Sequence, residues 1–211
     1  MKKEKLEKKL KKQINKVVKY FLCSCYVLLF VSTSSFAMDI GELVLRDGVY
    51  YEQFSNITYT GWGEEKCTGY YHQGKAQFSG AIENGIKNGV WNKYNCGDYS
   101  YKLREEILYY EGRITRITEY HDEECQVGRY SWNTVVCKKE ERSYDRNDQL
   151  TGVFTSYHRK PGLIKITGNY RNGKKNGLWN ENNSSGVLIS KGSYNLDKKE
   201  GVWEYFFYSG M

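Results

Sequence analysis

The residues able to do chemistry in this 211-residue chain are few and scattered. Its three histidines, His72, His121 and His158, lack a second histidine at helical or strand-pair spacing, the arrangement that zinc sites commonly use. His121-Asp-Glu-Glu-Cys125 is the densest run of metal-ligating side chains. Successive side chains on a strand point to opposite faces, so at most alternate members could converge on one ion. The run reads as a solvated acidic turn. Glu64-Glu65 and Glu105-Glu106 would form an acid/base pair only through a tertiary contact, since glycoside hydrolysis needs two carboxylates at a set separation. No Ser or Cys stands in a nucleophile-turn motif. Gly-x-x-Gly spacings are frequent, but a phosphate-binding loop requires a helix after it. Here Trp and strand-forming residues follow. The expectation is a non-enzymatic chain with no cofactor and no metal.

The cysteines carry a second kind of chemistry. Cys67, Cys96, Cys125 and Cys137 lie beyond the N-terminal leader described below. An even number in an exported chain suggests up to two disulfides, with three pairings open. Short loops close at the least entropic cost, which favours Cys67–Cys96 and Cys125–Cys137. Four reduced thiols buried as small apolar side chains are the alternative. No two of the four have the two-residue spacing of a zinc or thioredoxin-like motif.

Charge gives an address rather than a partner. Residues 1–37 hold nine of the 32 basic and two of the 25 acidic residues, which accounts for the whole formal charge of +7. The rest of the chain is neutral, without the basic footprint of a nucleic-acid binder. The leader has three parts: a Lys-rich stretch from Met1 to Lys19, an apolar run from Tyr20 to Val31, and small residues at Ser35 and Ala37. That order predicts a helical signal peptide over 1–37 with cleavage before Met38. The apolar run is short for a spanning helix, and an uncleaved membrane anchor is the alternative. The chain is expected to be exported, to a periplasmic or extracellular site.

Composition sets the elements that must position everything else. Gly numbers 21, Tyr 20, Trp 5 and Pro 1, and alanine occurs only at Ala37, Ala76 and Ala81. A chain so poor in the best helix former and so rich in Tyr, Trp and Gly forms strands and tight turns. A helical bundle and an α/β enzyme with a long parallel sheet are excluded. With 39% hydrophobic residues against 27% charged, so is global disorder.

An internal repeat organises the strands. Gly80 to Trp91, Gly168 to Trp179 and Gly192 to Trp203 align without gaps. In each, a second glycine (Gly89, Gly177, Gly201) follows the first by nine residues, and Trp follows that glycine by two. Tyr170 and Tyr194 stand two residues after the opening glycine. Asn84-Gly85 and Asn172-Gly173 tolerate the positive φ of tight hairpins, and Asn88-Gly89 and Asn176-Gly177 are expected to close the turn. The lysine pairs Lys174-Lys175 and Lys198-Lys199 are expected at a solvated tip. One hairpin is marginal alone. Each copy must therefore bury its aromatic residues on the next, giving a stacked ribbon with a Tyr/Trp ladder. Tyr144 to Tyr157 repeats the grammar with Gly152 and with Phe154 in place of Trp. Ile107 to Tyr120 and Gly128 to Trp132 read as further strands of unfixed register.

The segments 168–179 and 192–206 lie close to the unit Gly-x-Tyr-x-(Asn/Asp)-Gly-Lys-x-(Asn/Asp/Glu)-Gly-x-Trp-x-x-Tyr and so resemble the MORN-type repeat variant of bacterial proteins labelled YwqK-type antitoxin components. Leu43 to Gly61 resembles the segment that opens that family's array. Departures are Asn182, where the family has Tyr after Trp, and Thr58-Tyr59, where it has Pro-Phe. The resemblance implies β-hairpin repeats that bind proteins or lipid headgroups, with the lysine tips as candidates for weak contact with anionic lipid.

The expected organisation is an all-β chain: leader 1–37, lead-in strands 38–79, and a repeat array 80–211 with degenerate copies at 98–165. The expected function is a non-enzymatic binding or scaffold module of the cell envelope that engages a protein partner through its ribbon face. The alternative is an antitoxin or immunity-type protein neutralising a toxin by direct binding.

Overall fold

The computed structural model describes residues 37–97, 101–121, 125–126 and 134–207. Leader residues 1–36 and the stretch Gly128 to Trp132 lie outside the described residues. The strands are β1 (Met38–Asp39), β2 (Val44–Arg46), β3 (Val49–Tyr51), β4 (Gly61–Lys66), β5 (Ala76–Glu83), β6 (Ile86–Tyr94), β7 (Leu103–Tyr110), β8 (Arg113–Tyr120), β9 (Cys125–Gln126), β10 (Thr134–Val135), β11 (Lys138–Tyr144), β12 (Leu150–Tyr157), β13 (Ile164–Arg171), β14 (Lys174–Lys175), β15 (Gly177–Asn182), β16 (Leu188–Asn195) and β17 (Lys198–Tyr205). A 3-10 turn, Ile40–Glu42, follows β1.

One sheet dominates, in the order β1-β4-β5-β6-β7-β8-β11-β12-β13-β15-β16-β17, with β14 paired to β13. Apart from the parallel pair β1–β4, its neighbours are antiparallel and consecutive in the chain. The fold is all-β and built of stacked hairpins. β2–β3 and β9–β10 are separate two-stranded ribbons. No helix among the described residues is long and apolar enough to cross a membrane.

Turn chemistry explains the regularity. Asn84-Gly85, Glu111-Gly112 and Asn172-Gly173 all sit near φ +50° and +77°, the paired positive values of a type I′ hairpin. The last turn holds the same geometry without glycine, at Leu196 (φ 48°) and Asp197 (φ 72°). A left-handed residue bearing a Cβ costs about 1–2 kcal/mol. Asp197 offsets part of this by accepting the Lys175 N–H at 2.7 Å through its carboxylate.

The second glycine of each copy does not close the turn, as the Asn-Gly pattern suggested. Gly89, Gly152, Gly177 and Gly201 adopt φ between +67° and +77° inside the return strand. There the pairing gains two residues on that strand: Ala81 faces Asn88, while Ser79 faces Asn92. The same slip separates Ser193–Glu200 from Lys191–Glu204 and Ser143–Thr151 from Glu141–Thr155. A β-bulge needs a left-handed residue at this point, which is why glycine recurs there.

The meander puts all tight turns on one edge of the sheet and all longer loops on the other. Turn-edge amides stack from copy to copy. Gly85 donates to Tyr59, Gly112 to Lys87, Gly173 to Leu150 and Asp197 to Lys175, at 2.7–3.0 Å. The buried core lies at the N-terminal end. Tyr59, Ile82, Trp91 and Ile107 form its centre, and the lead-in residues Met38, Ile40, Leu43 and Tyr50 fold over it as a second layer. Strands β12 to β17 pack mainly on their sheet neighbours.

Candidate binding surfaces

The repeat residues converge on one structural device. Trp91 lies flat over Gly80, Trp179 over Gly168 and Trp203 over Gly192. A Cβ on any of these glycines would stand 2.2–2.3 Å from the indole. The bulge at Gly89, Gly177 or Gly201 swings the tryptophan back onto the preceding strand. Trp91 is fully buried and Trp179 is 5% exposed. The indole N–H of Trp91 donates to Ala81 O at 2.9 Å and that of Trp203 to Ser193 O at 3.2 Å. The corresponding carbonyl, Asn169 O, already accepts from the Asn176 backbone, and the Trp179 indole N–H has no partner.

Tyrosines link the tryptophans. Tyr170, Trp179, Tyr194 and Trp203 alternate edge-to-face, with centroids 5.3, 5.9 and 5.0 Å apart and planes at 79–90°. This is the favoured arrangement for aromatic quadrupoles. Phe154 continues the row at 5.8 Å from Trp179. The ladder forms the inter-copy packing of a single-layer sheet.

Lys174, Lys198 and Lys199 are solvent-exposed as expected, while Lys175 is half-buried. The second lysine of each pair folds back over the ladder. Lys175 Nζ is 4.5 Å from the Trp179 ring and 5.1 Å from Tyr194. Lys199 Nζ is 4.2 Å from Trp203. The first copy has Ile86-Lys87 instead, and Lys87 Nζ lies 4.4 Å from Phe78 and 4.5 Å from Trp91. Burial holds the Lys87 ammonium below the usual lysine range, against the opposing pull of Glu65. Among the described residues, Lys174 and Lys198 have no ring beneath them and remain outward tips for an anionic surface, and Lys199 stays exposed above its ring.

The opposite face carries a feature that sequence reading missed. The residue between the bulge glycine and the aromatic is Val90, Val153, Leu178 or Val202, and these are 44–83% exposed. Each occupies the same place in its hairpin, pointing away from the ladder. Pairing sets polar residues between them, with Leu178 opposite Ser193 and Val153 opposite Asn169. The sequence signal was present as the Gly-(Val/Leu)-(Trp/Phe) at 89–91, 152–154, 177–179 and 201–203.

The candidate chemical residues separate. Glu105 pairs with Lys93 at 3.2 Å, whereas Glu106 accepts the Tyr120 hydroxyl at 2.6 Å on the other face. Burial and Glu106 raise the Tyr120 phenol far above its ordinary value. The Tyr157 phenol, buried and bonded to Glu141, is pushed up to about 12. Glu119 and Glu140 flank Arg142. Burial opposes ionisation of Glu119, but Arg142 and Lys139 outweigh it and hold the carboxyl below the usual range. His158 Nε2 contacts Asn182 O at 2.9 Å. Burial lowers the His121 imidazole, while Cys125, at the other end of its acidic run, is tied to Cys137. Asp122 to Glu124 lie outside the described residues.

Both disulfides join loops on the long-loop edge. Cys67 and Cys96 pair across a Cα separation of 5.6 Å, and Cys125 and Cys137 across 5.9 Å. These are the two pairs that short loop closure favoured, and such bonds persist in oxidising compartments. Comparison with protein-family models, curated proteins and solved structures finds no match to this chain.

Proposed function

We propose that this chain is an exported, non-enzymatic binding module of the MORN-like repeat type, engaging a protein partner through the face of its ribbon opposite the aromatic ladder. The observation that carries this reading is the row Val90, Val153, Leu178 and Val202. These exposed apolar side chains hold the same place in four of the sheet's hairpins, and Val153, Leu178 and Val202 recur on every second strand from β12 to β17, an exposure of the kind that marks interaction sites. Their alternation with Ser193 and Asn169 matches an apolar core with polar flanks. The two disulfides support an oxidising address outside the cytosol.

The test is native cross-linking of the full chain in intact cells, compared with a Val153→Lys/Leu178→Lys variant of unchanged urea midpoint. The reading expects one cross-linked protein species that the variant loses. A species retained by the variant would overturn the choice of face. Mass analysis of the same material fixes the address. A chain starting at Met38 with four oxidised cysteines supports export. A full-length cytosolic chain with free thiols would instead favour toxin neutralisation.

A further inference from the structure

We propose that the outer edge of β17 receives one extended strand from another protein. That strand runs antiparallel to β17, with an aromatic residue opposite Gly201 and, two residues before it, a small or aliphatic residue opposite Trp203. The three interior strands of the same grammar fix this requirement. On β6, Gly89 faces Tyr109 and Trp91 faces Ile107. On β12, Gly152 faces Tyr170 and Phe154 faces Gly168. On β15, Gly177 faces Tyr194 and Trp179 faces Gly192. In all three the facing tyrosine turns its edge onto the aromatic ring, at 6.1 Å and 71°, 5.7 Å and 87°, and 5.9 Å and 81°.

β17 has the same bulge, with Gly201 at φ 67°, and the same tryptophan two residues later. It is the last strand of the sheet, and its inner edge alone is paired among the described residues. Interior Lys175 sits over both its own tryptophan and the incoming tyrosine. Lys199 is already 4.2 Å from Trp203, and its second ring is Tyr205 of its own strand at 5.6 Å, whose hydroxyl accepts from the Lys199 ammonium at 2.9 Å; the place of the facing tyrosine opposite Gly201 is left to an incoming strand. Apolar exposure concentrates here, with Val202, Tyr205, Phe206 and Phe207 all open to solvent. An unpaired edge offers its backbone N–H and C=O groups to an added strand, and pockets for alternate side chains give such pairing its specificity.

A second copy of β17 fits this edge poorly. The antiparallel register that brings a small residue opposite Trp203 and an aromatic opposite Gly201 also sets Glu200 against the partner's Glu204, twice. Like charges directly opposite are destabilising. It also places two bulged strands together, whereas β7, β13 and β16 are unbulged where they meet the glycine. The occupant is a segment of another protein of the form (Gly/Ile)-x-Tyr, the form that β7, β13 and β16 present to the bulged strands they meet. This inference does not rest on the reading of the sheet face given above.

The experiment titrates a fluorescein-labelled peptide, Leu-Ile-Ser-Lys-Gly-Ser-Tyr-Asn, with the full chain, and follows backbone amide exchange at saturation. Saturable one-to-one binding is expected, weakened about tenfold or more when the peptide tyrosine becomes alanine, as befits an aromatic anchor. Exchange should slow at residues 199–205. The proposal is overturned by equal binding of the alanine or reversed-sequence peptide, by no saturable binding, by slowing confined to β15, or by a peptide-free dimer whose β17 amides are already protected. Val153→Lys/Leu178→Lys, which tests the sheet face, should leave peptide affinity unchanged, so the two readings fail separately.

Discussion

Trp179 covers the α-carbon of Gly168 on the neighbouring strand so closely that a methyl group there would lie 2.2 Å from its indole. The ring is hemmed in by Tyr170, Tyr194 and Phe154. Gly168→Ala should therefore cost about 3 kcal/mol or more, at the upper end of overpacking effects. Gly74→Ala, where an added Cβ meets open space at φ 80°, should cost about 1–2 kcal/mol from backbone strain alone. Urea midpoints of the two variants check the difference.

The tryptophans should differ by position. Trp91→Ala and Trp179→Ala remove rings buried between strands on both sides and should each cost about 3–5 kcal/mol. Trp203 has a strand on one side only and should cost roughly half as much, loosening β17 while the remaining amides keep their exchange protection. Trp179→Phe should be milder than Trp91→Phe, because the Trp179 N–H is unpaired whereas that of Trp91 is bonded. Equal losses at all three sites would contradict the stacked ladder.

The folded-back lysines separate charge from packing. Lys175→Met keeps the stem and discards the charge, and should cost about 0.5–1 kcal/mol if the cation–π contact stabilises the sheet. Lys87 behaves differently. Its burial lowers the ammonium's affinity for protons, so the net environment disfavours the charge, and Lys87→Met should be neutral or stabilising. Thermal midpoints at neutral pH distinguish the two.

Stability should fall on acidification. Glu119 and Glu141 titrate below their ordinary value of 4.5 in the fold. Their contribution is fully present above that value and is lost as pH drops through the lower folded value. Arg142→Gln should flatten the acid limb of a stability–pH curve by releasing Glu119. At the alkaline end Tyr157 is raised from 10.0 to about 12. Its contribution holds below about pH 10 and is lost as pH rises through about 12. A Tyr157→Phe variant should lack that limb.

Opening the disulfides should act locally. Closing chain separations of 29 and 12 residues restricts the unfolded chain by about 3–4 kcal/mol and about 3 kcal/mol respectively. Under reducing conditions, exchange should rise first in the loops around Cys67, Cys96 and Cys137, with turn-edge amides such as Gly173 still protected.

The clean copies were legible because three constraints coincide in them. Type I′ turns need Asn-Gly, the bulge needs a left-handed residue, and the indole needs a partner without a Cβ. Each leaves a fixed residue at a fixed offset. One reading went astray and another held only in part where different geometries use the same residues. The Asn-Gly of Asn88-Gly89 suits a turn or a bulge equally, and Lys-Lys looks like a solvated tip whether or not its second member folds back. The β7–β8 hairpin was faint because it lacks the Gly-x-Trp signature and shows only Glu111-Gly112. The parallel pairing of β1 with β4, and the folding of Ile40 and Tyr50 onto Ile82 and Trp91, depend on contacts distant in sequence and leave no local periodicity. The aliphatic row was missed because Val and Leu in strands are ordinarily assigned to a core.

The placement of the Cys67–Cys96 bond has a mechanical consequence. Each strand of the array pairs with the next in chain order, so tension on the C-terminal end would open the sheet hydrogen bond by hydrogen bond, strand after strand, as a zipper opens at low force. That peeling would run from β17 back through β11, cross the Cys137–Cys125 bond, release β8 and β7, and then meet Cys96. From there the load passes directly to Cys67, bypassing β5 and β6. The first hairpin, with Trp91 at its centre, is thus shielded from extension while the bond is oxidised, and reduction would turn it from a fixed knot into another releasable length of chain.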